Sequence, residues 1–165
     1  MSLPSPYRSL PLERRTALVE HDLRNSRDSR DAYIMRLVSK GGGFRPETVR
    51  KWKVEQLAAE VVRRRLETLQ DEVGMLQTLY VELEPGLQQE FLTATGVDHK
   101  NGQIPEDLAV PFAEQPAVVA AASKLRDAHG DDGVRYLRTI ALYNGEAWPG
   151  LTDWLIENSG DVRST

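Results

Sequence analysis

PETVRKWKVEQLAAEVVRRRLETLQDEVGMLQTLYVEL, residues 46–83, is the stretch whose reading decides the fold. These 38 residues hold no proline after Pro46 and one glycine, Gly74. Pro46 suits a first helical turn, where its missing N–H has no partner to lose, and Pro85 closes the run. Between them Ala59, Val62, Leu66, Leu69, Val73, Leu76, Tyr80 and Leu83 recur at alternating spacings of three and four, which lays an apolar seam along one helical face. The pattern predicts one long central helix. At 1.5 Å per residue it would span ~57 Å. A compact domain of this size has a diameter of about 40 Å, so the helix must bend or break, with Gly74 the candidate, or project and be covered by a partner chain. Val54, Leu57, Ala58, Val61, Met75 and Leu79 widen the apolar face beyond a two-helix seam, so it reads mainly as the centre of its own bundle.

Working outward, proline opens and glycine closes most of the remaining elements. Helices are expected at Leu12–Leu23, Asp28–Ser39, Pro85–Thr95, Pro116–His129, Gly133–Tyr143 and Pro149–Asn158. Ser26 or Asp28 would cap the second, and Asp131 or Asp132 the fifth. No segment alternates with period two, so the fold class is all-α: a single-domain helical bundle over residues 1–165. It divides into a basic N-terminal helical pair (1–45), the long central helix (46–83), a short-helix region (85–158) and a tail (159–165).

The composition sets bounds on function. A chain of 165 residues is sized for one domain that buries roughly 70% of its unfolded surface. Without cysteine there is no disulfide, thiolate metal site or cysteine nucleophile, and a cytoplasmic location is expected. The longest apolar run, Ala117–Ala122, is six residues, far short of the ~18 a membrane span needs. Arg14 and Arg15 stand where a signal peptide would have its apolar centre. The net charge of −4 conceals a division, because residues 1–65 carry 15 Lys and Arg against 8 Asp and Glu, and residues 66–165 carry 6 against 17. Such asymmetry implies a basic surface for an anionic partner, or two halves that attract one another within or between chains.

Residues 35–54 fit part of a helix-turn-helix pattern. With Gly43 at the ninth position, Val38, Phe44, Val49 and Trp52 fill the four apolar sites and Ser39 the small one, while Gly42 stands where an apolar residue belongs. GFRPETVRKW then resembles the turn and recognition helix of such motifs, offering Arg45, Thr48, Arg50 and Lys51 to phosphates and base edges. The alternative is a helical corner in which Phe44 and Trp52 simply pack. Arg24, Arg27 and Arg30, at every third residue, could face phosphate or a solvated helix start.

Other motifs lead away from chemistry. Gly41-Gly42-Gly43 lacks the spacing and the strand of a phosphate loop. VDHKNGQIPEDL, residues 97–108, imitates a calcium loop, but Val97 and Leu108 fall where ligating carboxylates are required, so a turn at Asn101-Gly102 is the better reading. His21, His99 and His129 lack metal-ligand spacing; His129 is placed at a helix C-terminus. No metal or cofactor is expected, and no catalytic set is assigned. The aromatic group Tyr136, Tyr143, Trp148 and Trp154 fits a lock for the last helix better than a peptide groove. The leading expectation is a non-enzymatic helical interaction or scaffold protein, self-associating or bound to a protein partner. DNA binding through residues 35–54 comes second, and a helical enzyme whose site is built from distant residues third.

Overall fold

The computed structural model describes residues 5–39 and 43–158. Gly41, Gly42 and the tail 159–165 lie outside the described residues. Among the described residues the secondary structure is helical, with one isolated β-bridge between Lys100 and Gln103 and no named strand. The helices are α1 (Leu12–Asn25), α2 (Arg27–Ser39), α3 (Pro46–Arg50), α4 (Val54–Arg63), α5 (Leu69–Gln77), α6 (Gly86–Thr95), α7 (Gln115–His129), α8 (Asp131–Asn144) and α9 (Leu151–Asn158). A π-helical stretch occupies Thr78–Leu83 and a 3-10 turn Gly145–Ala147. No helix is long and apolar enough to cross a membrane, among the described residues.

The long central helix is not present: residues 46–83 form α3, α4, α5 and the π stretch, with two breaks. The first falls at Lys51–Lys53. Lys51 and Trp52 close the end of α3 with bonds to Thr48 O (3.2 Å) and Val49 O (3.0 Å), and Lys53 is extended at ψ 155°. Helix ends leave carbonyls without partners, and here Arg30 Nη2 donates to Trp52 O at 3.1 Å and Arg50 O at 3.4 Å. The second break is at Arg65, which is left-handed at φ 53°. Arg65 N–H bonds Val62 O (3.2 Å) and Leu66 N–H reaches back to Val61 O (3.0 Å), the paired bonds of a Schellman stop with buried Leu66 and Val61 as its apolar contact. Gly74, the expected breaking point, lies inside α5.

The chain divides into two compact units, one from Tyr7 to Gln77 and the other holding the described residues from Thr78 onward with Ser5 and Pro6. A single-domain bundle is thus not confirmed. In the first, α1 makes its broadest contact with α4 and also touches α2 and α5. Leu18, Val19 and Leu23 of α1, Tyr33, Ile34 and Leu37 of α2, and Leu57, Ala58, Val61 and Val62 of α4 are buried. Buried polar groups gather beside this core. Tyr7 Oη donates to Glu67 at 2.8 Å, Arg8 pairs with Glu67 and Glu72, and Arg36 Nη1 pairs with Asp71 at 2.6 Å. Burial and the Glu67 carboxylate push the Tyr7 phenol far up, so it remains a donor.

In the second unit α7 packs on both α8 and α6, and α9 on α8 and α7. α8 is buried on all sides from Arg135 to Thr139, the mark of a central helix. Its core is a chain of edge-to-face rings, from Tyr80 to Tyr136 (5.2 Å), Tyr136 to Phe91 (6.0 Å), Phe91 to Trp148 (5.0 Å) and Trp148 to Phe112 (5.5 Å). Such pairs add ~1 kcal/mol each beyond area burial. Of the C-terminal aromatics, Tyr136, Trp148 and Trp154 are buried and Tyr143 is half-buried, and Trp154 Nε1 donates to Ser123 Oγ at 3.1 Å. Asp131 and Asp132 occupy the first turn of α8 rather than its cap, where their charge meets the positive end of the helix.

Candidate functional site

The sequence-selected cations lie on α3 and its flanks. Arg45, at φ −83° and ψ 142°, precedes the helix, Pro46 starts it, and the amides of Thr48 and Val49 bond back to Arg45 O. Val49 is fully buried and holds the turn to the first unit. This anchoring leaves Arg45, Thr48, Arg50, Lys51 and Lys53 exposed, together with Glu47. Phe44 and Trp52 are half-buried and meet edge to face at 4.9 Å, with the Arg64 guanidinium 4.9 Å over Phe44.

The arginines nearby are consumed by structure. Arg24 pairs with Glu55 at 2.7 Å and Glu20 at 3.5 Å, Arg63 and Arg64 share Glu60, and Arg30 holds the α3–α4 joint. Arg24, Arg27 and Arg30 therefore do not converge on one anion. Arg45, Arg50 and Lys51 have no ion pair or side-chain hydrogen bond among the described residues. As a recognition element α3 is short, since five residues rise only ~7.5 Å. It presents charge, not a groove-filling helix.

A second site was not visible in the sequence. A cleft of about 510 Å³ in the second unit is lined by Val81, Pro85, Gln88, Asn101, Gly102, Gln103, Ile104 and Glu106. One wall is the Asn101-Gly102 turn, which is present as expected, with φ 53° and 87° and reciprocal bonds between Lys100 and Gln103 of 2.9 and 3.0 Å. Positive φ at both central residues is why Asn-Gly stands there. Gln88 Nε2 donates to Gly102 O at 2.6 Å. His99 Nδ1 accepts from Gly102 N–H at 3.1 Å, which puts the neutral ring's proton on Nε2, where it donates to Thr93 Oγ1 at 2.9 Å. His99 is a loop brace. Farther along the loop, Phe112 N–H bonds Ala147 O at 3.0 Å.

Exposed carboxylates and apolar side chains border or follow the cleft. Glu82, Glu84, Glu106 and Asp107 are exposed, as are Val81, Leu83, Leu108 and Val110. The lining carries amides, apolar surface and one carboxylate, with no serine, cysteine, lysine or histidine. It can offer hydrogen bonds and negative charge rather than a nucleophile. His129 Nε2 lies 2.6 Å from Glu90 Oε2, which ties α7 to α6. Among the described residues no three His, Asp or Glu side chains converge as metal ligands.

Comparison with protein-family models, with curated proteins and with solved structures found no match to this chain.

Proposed function

We propose that this is a non-enzymatic interaction protein that self-associates through surfaces of opposite charge. The basic edge Arg45–Lys51 of one copy would face the carboxylates Glu82, Glu106 and Asp107 of another. The observation that carries the reading is the segregation of charge by unit. Residues 7–77 hold 15 Lys and Arg against 11 Asp and Glu, whereas 78–165 hold 6 against 14. Arg45, Arg50 and Lys51 are exposed and, among the described residues, have no ion-pair partner. Complementary patches of this kind steer encounter and fix register more than they add affinity.

The test is sedimentation velocity at about 0.01 M and about 1 M salt, between which the screening length falls from ~30 Å to ~3 Å. Association at low salt that disappears at high salt is expected. An Arg45→Glu/Arg50→Glu/Lys51→Glu variant should be monomeric alone and should pair with a Glu82→Lys/Glu106→Lys/Asp107→Lys variant. A parent that is monomeric at both salts and at every concentration overturns the reading.

DNA binding is the second reading, favoured by the exposure of Arg45, Thr48, Arg50 and Lys51. With so short a helix the contacts would be to phosphates and largely independent of sequence. Anisotropy of a labelled mixed-sequence duplex should then rise at low salt, fall steeply with added salt and be reduced in Arg50→Ala/Lys51→Ala. A duplex that does not bind at low salt removes this reading.

A further inference from the structure

The cleft of the second unit is a braced cavity whose lining carries a negative charge and no positive one. Its volume of about 510 Å³ falls within the ~300–1,000 Å³ of small-molecule sites. Val81, Pro85 and Ile104 supply apolar surface, and Gln88, Asn101, Gln103 and Glu106 supply polar groups. Gln88 Nε2, by donating to Gly102 O at 2.6 Å, ties the Asn101-Gly102 turn to α6, and His99 Nδ1 holds the same turn through Gly102 N–H at 3.1 Å. The segment that carries Val81 and Pro85 is also tied back. It leaves the π-helical stretch Thr78–Leu83 with Glu84 N–H bonded to Leu79 O at 2.7 Å, and single π turns recur at functional sites.

We infer that this cleft binds a small organic cation, an ammonium or guanidinium head on a short apolar chain. The polar atoms decide the sign of the charge. Gly102 O fixes the Gln88 amide with its nitrogen toward the turn, so Oε1 is left as an acceptor that takes no bond among the described residues. The Glu106 carboxylate is exposed and, among the described residues, has neither an ion pair nor a hydrogen bond. A fixed amide oxygen and a carboxylate suit a head group that donates and does not accept, as ammonium and guanidinium do. Among the described residues no lysine, arginine or histidine lines the cleft, so an anion finds no partner charge there. The surroundings keep the same sign. Glu82 and Asp107, next in sequence to Val81 and Glu106 of the lining, are exposed carboxylates, against Lys100 beside Asn101. Val81, Pro85 and Ile104 explain the apolar chain, because a bare hydrated ion makes no use of them whereas an alkyl chain gains by leaving water against them. The inference does not rest on self-association.

The experiment is a heteronuclear NMR titration of the full chain, at constant ionic strength and pH, with hexylammonium and with hexylguanidinium. Hexanol and hexanoate serve as the neutral and anionic counterparts of the same chain length. Saturable shifts are expected with the cations at the amides of Gln88, Asn101, Gly102, Gln103 and Ile104, and the cation that binds more tightly names the head group. Glu106→Gln keeps the shape of the lining and removes its charge, and should lose roughly tenfold in affinity for the cation. Asp153→Asn makes the same change of net charge on α9, away from the lining, and should bind as the parent does. The Arg45→Glu/Arg50→Glu/Lys51→Glu variant keeps the cleft and should also bind as the parent does, so the result is independent of whether copies associate. The inference is overturned by a parent without saturable shifts for either cation, by shifts that fall away from the lining, by hexanol or hexanoate binding as tightly as the cations, or by undiminished cation binding in Glu106→Gln.

Discussion

Arg65 sits at a backbone angle that side chains with a Cβ seldom take, φ 53°. The left-handed region costs an ordinary residue about 1–2 kcal/mol, and glycine escapes that cost while losing more freedom on folding. Arg65→Gly is therefore expected to stabilise the protein by about 0.5–1 kcal/mol, a Tm rise of a few degrees in thermal unfolding. Asp22 gives a signed test in pH. Burial raises its pKa above 3.8, against the opposing bond donated by Ser29 Oγ at 3.0 Å. A carboxyl whose pKa is raised on folding binds its proton more tightly in the native state. The ionised form thus costs stability above the folded pKa, and the loss is recovered as pH falls through that value toward 3.8. Asp22→Asn, which still accepts from Ser29, should be more stable than the parent at neutral pH by denaturant unfolding. The difference should shrink in acid.

At the scale of elements, the same stop is built twice with different residues. Gly96, at φ 77°, ends α6 with bonds from Gly96 N–H to Thr93 O (3.1 Å) and Val97 N–H to Leu92 O (3.1 Å), and Arg65 ends α4 in the same manner. The first was legible because glycine announces it; the second carries no such letter. Helical periodicity is a local property, and on each side of residues 64–68 the seam holds only in part: Val62, Leu76 and Tyr80 are buried, whereas Ala59 and Leu83 are exposed. Leu57, Ala58, Val61 and Val62 bury one face of α4, and Met75 and Leu76 one face of α5. The error was to continue the phase across the stop, which placed Leu69 on the seam although it is 78% exposed. One signal did mark the restart. Thr68 and Asp71 form a reciprocal capping box, Thr68 N–H to Asp71 Oδ2 at 2.8 Å and Asp71 N–H to Thr68 Oγ1 at 3.2 Å. Thr68→Ala should cost about 1 kcal/mol, read from the denaturation midpoint. Of the candidate sites, exposure of Arg45, Thr48, Arg50 and Lys51 followed from polarity around a single buried valine. The cleft beside Gln88 was not legible, since it depends on what distant segments bring to one place.

For the molecule as a whole, the two units differ in charge and in the character of their cores. The core of Tyr7–Gln77 is mainly aliphatic, with Tyr7 and Tyr33 buried beside an ionic group, whereas the second unit adds a run of linked rings to its aliphatic side chains. Salt should therefore act differently on them, weakening exposed pairs such as Arg24–Glu55 while leaving ring packing unchanged. The indoles are divided in the same way, and this gives each unit its own optical reporter. Trp52 is the first unit's only tryptophan and is half-buried, whereas Trp148 and Trp154 belong to the second and are buried. Emission from a Trp52→Phe variant then tracks the second unit alone, and emission from a Trp148→Phe/Trp154→Phe variant the first. Coincident unfolding midpoints for the two would mean that the chain melts as one cooperative body, and separated midpoints that a half-folded state can accumulate and be isolated by its colour.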